Sequence, residues 1–230
     1  MKQFITLLLC LTSLNAAAGL ESKVPATAEG FSIPNTHVID DEGVILRGMA
    51  PRHQIAELSE NGVTDVLIFK NQTRSEVDDE VQELLESGYK KSDIHHIPFK
   101  WKDIDDLPKA CKQTIQALAI IKEVYQSIDR KLFFHCTVGE DRTGHLAGIW
   151  DLLFHEKEKS EVFKKQMCDR GYSAGNQTKP YKVVSAIRKG LSPLFFKMAK
   201  LIENGQLSFD NLNEEACDQM EWVSEIPRCE

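Results

Sequence analysis

The chain has 230 residues, 42% of them hydrophobic and 27% charged, with a formal net charge of −7 at pH 7. That length and apolar content suffice for one domain with a full core. The acidic balance argues against a nucleic-acid partner, so any multiply phosphorylated substrate must be drawn by a local cationic patch rather than by net charge.

Residues 1–18 read as a cleavable export signal. Lys2 supplies the positive start, an apolar run follows over 4–14, and Ala16-Ala17-Ala18 offers a small-residue cleavage site. The run is too short to span a bilayer, so no membrane anchor is expected. Cys10 lacks the small residue before it that a lipoprotein site needs. Losing Lys2 with the signal takes the charge from −7 to −8. The mature protein is therefore expected from about residue 19 in a periplasm or outside the cell, with one domain over 19–207 and a polar tail over 208–230.

Strands are expected at 37–40 and at 44–47, after the turn Asp41-Glu42-Gly43. A short helix over 54–61 should stop at Gly62, and the β-branched run 63–69 reads as a buried strand. Ser75 is placed to cap a helix over 76–87 that ends at Gly88, and 93–98 gives another strand. A long amphipathic helix is expected over 107–127, carrying Ile115, Leu118, Ile121 and Val124 on one face. Residues 132–134 then form the central strand, followed by helices near 143–156, 161–170 and 180–204, the last interrupted around Gly190-Leu191-Ser192-Pro193. Strands and helices that alternate and then give way to helices alone imply an α/β fold. Its central, mostly parallel sheet has helices on both faces and extra C-terminal helices. Its ligand crevice should lie at the carboxyl end of the central strand.

That end carries Leu132-Phe133-Phe134-His135-Cys136-Thr137-Val138-Gly139-Glu140-Asp141-Arg142-Thr143-Gly144. A cysteine at the mouth of a strand and an arginine at the start of the next helix bracket a loop. Successive N–H groups of that loop can cradle a tetrahedral oxyanion. A thiol in that field should be acidified, and the arginine fork can hold two phosphate oxygens at once. His-Cys-x-x-Gly-x-x-Arg-Thr-Gly resembles the phosphate-binding loop of the cysteine-dependent protein-tyrosine and dual-specificity phosphatases. Ile45-Leu46-Arg47-Gly48-Met49-Ala50-Pro51, with Leu58 and 62–68, is similar to the opening of compact dual-specificity-like members.

The resemblance implies Cys136 as nucleophile, Arg142 as phosphoryl clamp and Thr137, Val138, Gly139, Glu140, Asp141 and Thr143 as the phosphate-binding loop. Thr143 would assist departure of the sulfur, and His135 would orient the loop from behind. A general acid is expected on the loop Phe99-Lys100-Trp101-Lys102-Asp103-Ile104-Asp105-Asp106, first at Asp103 and next at Asp105, with Asp106 capping the following helix. Asp141 is a rival for the acid or an orienter of Arg142. Lys70, Arg74, Lys100 and Lys102 are candidate substrate-gripping cations, and Lys179 and Lys182 could join them.

His95 and His96 are neighbours in a strand and point to opposite faces, and no zinc-like spacing accompanies them, so catalysis without metal or cofactor is expected. Of the five cysteines beyond the signal, Cys136 is set aside as nucleophile. A local bridge between Cys217 and Cys229 competes with the reading that Cys111, Cys168, Cys217 and Cys229 stay reduced and buried. Loop and export signal together resemble the secreted bacterial tyrosine-phosphatase-like phytases, which implies a small polyphosphorylated substrate of the myo-inositol class. The alternatives are a secreted protein phosphatase and a phospho-ligand binding module without turnover.

Overall fold

The computed structural model describes residues 21–102, 104–155, 157–172, 180–223 and 226–229. The expected signal, Asp103 and Lys179 lie outside the described residues. Five strands form one sheet: β1 (His37–Val38), β2 (Ile45–Gly48), β3 (Asp65–Phe69), β4 (Ile94–Ile97) and β5 (Leu132–His135). Their order is β1-β2-β5-β3-β4, with β1 antiparallel to β2 and every other pairing parallel.

Alternation along the central strand decides what packs where. Leu132 and Phe134 of β5 join a core built with α3 (Leu107–Tyr125), α4 (Asp141–His155), α5 (Lys159–Gln166), α6 (Tyr181–Lys189) and α7 (Leu191–Glu203). Phe133 points the other way, into a smaller core with α1 (Ile55–Glu60) and α2 (Glu76–Glu86). The doubly covered, mostly parallel sheet is the architecture expected, and β5 lies at its centre, so its carboxyl end opens into the crevice.

One local expectation needs correction. Ser75 occupies the residue before α2, but its hydroxyl donates to Asp79 Oδ2, and the amide of Gln72 accepts the Val77 N–H instead. The longer Gln72 reaches that donor from outside the helix. The segment expected as a polar tail packs on the domain. It contains a 3-10 helix, Glu214–Gln219, with Ala216 and Cys217 buried, and Phe209, Leu212 and Met220 pack on the main core.

Its anchoring is covalent. Disulfides join Cys111 to Cys217 and Cys168 to Cys229, with Cα atoms 5.7 and 5.3 Å apart. The local Cys217 to Cys229 bridge is thus overturned, as is the reduced reading of these four. The bridges close separations of 106 and 61 residues, because α3 and the 3-10 turn Cys168–Arg170 carry their cysteines to where the tail crosses them. Cys136 is the one free cysteine among the described residues.

Candidate active site

β5 ends at His135 and α4 begins at Asp141, so Cys136 to Glu140 must reverse the chain in five residues. Gly139 makes this possible. Its φ is +76°, and a Cβ there would stand 2.5 Å from the carbonyl carbon and oxygen of Gly48 in β2. The Gly139 carbonyl is turned inward, where Arg47 Nη2 donates to it at 2.8 Å and Asn35 Nδ2 at 2.9 Å. Arg47 also donates to the Gln166 carbonyl at 2.6 Å, so a fully buried guanidinium braces the loop against the far helices. The inward carbonyl fixes the turn of the loop at the end of β5.

Cys136 is 3% exposed. Its N–H donates to Thr143 Oγ1 at 2.8 Å. Burial pushes the thiol up, but the Arg142 guanidinium and hydrogen bonds from the Thr143 hydroxyl and amide outweigh it. Asp141 opposes them, and the net shift is downward. Arg142 is held by the Phe99 carbonyl at 3.3 Å and Thr137 Oγ1 at 3.0 Å, while its buried Nε has no hydrogen-bond partner among the described residues. A charged fork fixed at two points, with one donor unspent, is suited to gripping a tetrahedral anion.

The expected loop residues converge on one pocket of about 740 Å³, lined by Cys136, Thr137, Val138, Glu140, Asp141 and Arg142. Gly139 and Thr143 support it from behind through the bonds described above. From the loop before α3 come Lys100, Trp101 and Lys102, and Asn71, Thr73, Glu76, Pro180 and Val183 complete the wall.

Two of the four expected rim cations are elsewhere. Lys70 is 4% exposed and turns inward to Glu80 Oε2 at 2.9 Å, since a carboxylate buried on α2 outcompetes the rim for its ammonium. Arg74 is exposed with φ +54° and does not line the pocket, and Lys182 at the exposed start of α6 does not either. Lys100 and Lys102 do line it, Lys100 paired to Asp105 at 2.7 Å and Lys102 with its Nζ 5.8 Å from the Trp101 ring centre.

Among the acids, Asp106 caps α3 by accepting the Lys109 N–H at 2.9 Å, as expected. Asp105 does not line the pocket that holds Cys136, and its hydrogen bond from Lys100 lowers its pKa, which disfavours it as a proton donor there. Asp141 is buried, lines the pocket and accepts from Trp101 Nε1. His95 and His96 part as expected, the first reaching Asp65 Oδ1 at 3.1 Å and the second the Lys70 carbonyl at 2.8 Å.

His135 is completely buried behind the loop. Its Nδ1 donates to the Cys136 carbonyl at 2.9 Å, and its Nε2 lies 2.9 Å from Glu80 Oε1. Sequence reasoning assigned no role to Arg47, Asn35 or Glu80. Two of them had a signal: Arg47 is a charge inside the apolar run of β2, and Glu80 falls on the Val77 and Leu84 stripe of α2.

No family model and no curated protein matches the chain. Among solved structures it is similar to Tk-PTP in its active form, at 16% identity over 68% of this chain and 95% of that one, with a TM-score of 0.49. It is similar to the core catalytic domain of the PP-IP phosphatase SIW14 from S. cerevisiae in complex with citrate (16% identity, 76% and 95% coverage, TM-score 0.46). TpbA of P. aeruginosa is a third (17% identity, 77% and 98% coverage, TM-score 0.49). Likeness at this level is one of general outline, and the chemistry rests on the site's own residues.

Proposed function

We propose that this chain is a cysteine-dependent phosphomonoester hydrolase acting on myo-inositol polyphosphates. The observation that carries the hydrolase reading is an acidified thiol at the foot of a pocket, flanked by a fixed guanidinium and a threonine hydroxyl. Cys136 sulfur attacks phosphorus, and the S–P bond forms as the ester P–O bond breaks. The electron pair leaves on the ester oxygen, which takes a proton from Asp103. Arg142 and the loop amides offset charge on the three equatorial oxygens. Water then attacks phosphorus, giving its proton to the same carboxylate, and sulfur leaves as thiolate hydrogen-bonded by Thr143.

A wide pocket with Lys100 and Lys102 at its wall supports a substrate carrying phosphates beside the reacting one. Export is part of the proposal, and the two disulfides support it, since such bonds persist in oxidising compartments.

A second reading, a secreted phosphoprotein phosphatase, is favoured by the walls themselves. Trp101, Val138, Pro180 and Val183 are apolar and would pack an aryl ring, while Glu76 and Glu140 repel further phosphates. Phosphate release from phytate and from a phosphotyrosine peptide, beside Cys136→Ser, separates the two. Release from phytate that disappears in Cys136→Ser and whose KM rises in Lys102→Ala supports the first. Turnover of the peptide alone replaces it with the second, and silence on both overturns the hydrolase reading.

A further inference from the structure

We propose that Lys70 and Glu80 are positioning residues for the nucleophile, forming with His135 a buried ion chain that ends on the Cys136 carbonyl and favours the thiolate. The inference rests on the reading of Cys136 as an activated thiol.

The chain is continuous. Lys70 Nζ lies 2.9 Å from Glu80 Oε2, Glu80 Oε1 lies 2.9 Å from His135 Nε2, and His135 Nδ1 lies 2.9 Å from the carbonyl of Cys136. The side chains of Lys70, Glu80 and His135 are 4, 7 and 0% exposed. They come from three places, the end of β3, the middle of α2 and the end of β5. The Lys70 backbone is itself fixed, since His96 Nε2 bonds its carbonyl at 2.8 Å.

Burying a carboxylate and an ammonium carries a desolvation cost, and apolar side chains of like volume would pack the same space at less cost. The arrangement is therefore better explained by how it places His135 than by its packing. The ring lies between the Glu80 carboxylate, 2.9 Å from Nε2, and the Cys136 carbonyl, to which Nδ1 donates at 2.9 Å. Burial pushes the Glu80 carboxyl up, but His135 and Lys70 hold it below the usual carboxylate range. The carboxylate thus joins the Lys70 ammonium to the ring that holds the Cys136 carbonyl, directly behind the loop that carries the sulfur.

The thiol is also faced by Arg142 and Asp141 from α4 and by the buried Arg47 of β2. The trio acts from the strand end, through the Cys136 carbonyl. Removing either distal member weakens it. Without the Glu80 carboxylate the ring loses the group that faces its Nε2. Without Lys70 that carboxylate loses its anchor.

The experiment is the pH dependence of iodoacetamide alkylation of the full, oxidised chain, read by mass on the peptide carrying Cys136. It is run on wild type, Glu80→Gln, Lys70→Met and Lys70→Arg, with denaturant melts of each. The midpoint should rise by about one unit in Glu80→Gln and in Lys70→Met, which is about a tenfold loss of thiolate well below the midpoint. Lys70→Arg should return toward wild type, and the acid limb of kcat/KM on an aryl phosphate should move with the alkylation midpoint. Unmoved midpoints with only weaker melts would reduce the trio to a structural ion pair and overturn the proposal. Should one variant fail to fold, the other still carries the test. A wild-type midpoint near the ordinary thiol value of about 8.5 would instead overturn the activated-thiol reading itself.

Discussion

The indole of Trp101 donates to Oδ2 of Asp141, which joins the loop preceding α3 to the first residue of α4. The bond occupies one Asp141 oxygen on that loop, so Asp141 is suited to anchoring it. In the proposed mechanism the proton comes from Asp103. In Asp141→Asn, kcat should fall roughly tenfold while the alkaline limb of the pH–rate profile survives. Asp103→Asn should lose that limb, with kcat on alkyl phosphates down by about 10²–10⁴ and a smaller loss on p-nitrophenyl phosphate. Loss of the limb in Asp141→Asn would exchange the two roles.

Gly139 allows no side chain. A methyl group there meets the Gly48 carbonyl at 2.5 Å on a backbone already at φ +76°. Gly139→Ala should cost about 1–3 kcal/mol of stability. It should also lower kcat/KM more than 100-fold on the order of a 1 Å misplacement. A melting curve and an aryl-phosphate assay check both, and a variant with wild-type turnover would show that the loop amides are set some other way.

Asp65, at the opposite end of the sheet from Cys136, should control acid stability. Burial pushes its carboxyl up, but bonds from His95, Arg130 and Thr64 together with the Arg130 charge hold it well below the usual range. Arg130 reaches it with Nε at 3.0 Å and Nη2 at 2.5 Å. A depressed folded pKa contributes stability that is complete above the unfolded value of about 4 and is lost as pH falls below it. Asp65→Asn should therefore lower stability at pH 7 by about 2 kcal/mol, discounted for the partly exposed Arg130. Urea melts of the two proteins should converge as pH falls from 4 toward 2; a constant gap would locate the effect in packing.

Both disulfides fasten the last residues to the body of the domain. In the loop-entropy account, bridges closing 106 and 61 residues contribute about 5 and about 4 kcal/mol, and removing such a bond commonly costs about 2–5. Cys217→Ser and Cys229→Ser should each lower the urea midpoint in oxidising buffer. The second should also affect turnover, because Cys168 fixes the turn whose Arg170 carbonyl accepts from Asn35 Nδ2, the group that also holds Gly139. Equal turnover in Cys229→Ser and wild type would show that the loop does not depend on this bridge.

The strand-turn-helix shape of the Cys136 loop and the order of strands and helices were legible in the residues alone, and for one physical reason. Cys136, Gly139, Arg142 and Thr143 lie within eight consecutive positions, and a strand, a tight turn and a helix start form between chain neighbours. Apolar periodicity likewise reports which face of each element is buried. Tertiary structure alone decided that Lys70 turns inward to Glu80, that Asn35 and Arg47 meet at the Gly139 carbonyl, and that Cys111 and Cys168 take Cys217 and Cys229 as partners. Those contacts join residues 10 to 106 positions apart. Their choice is a competition among many acceptors and thiols that only the packed chain brings within reach.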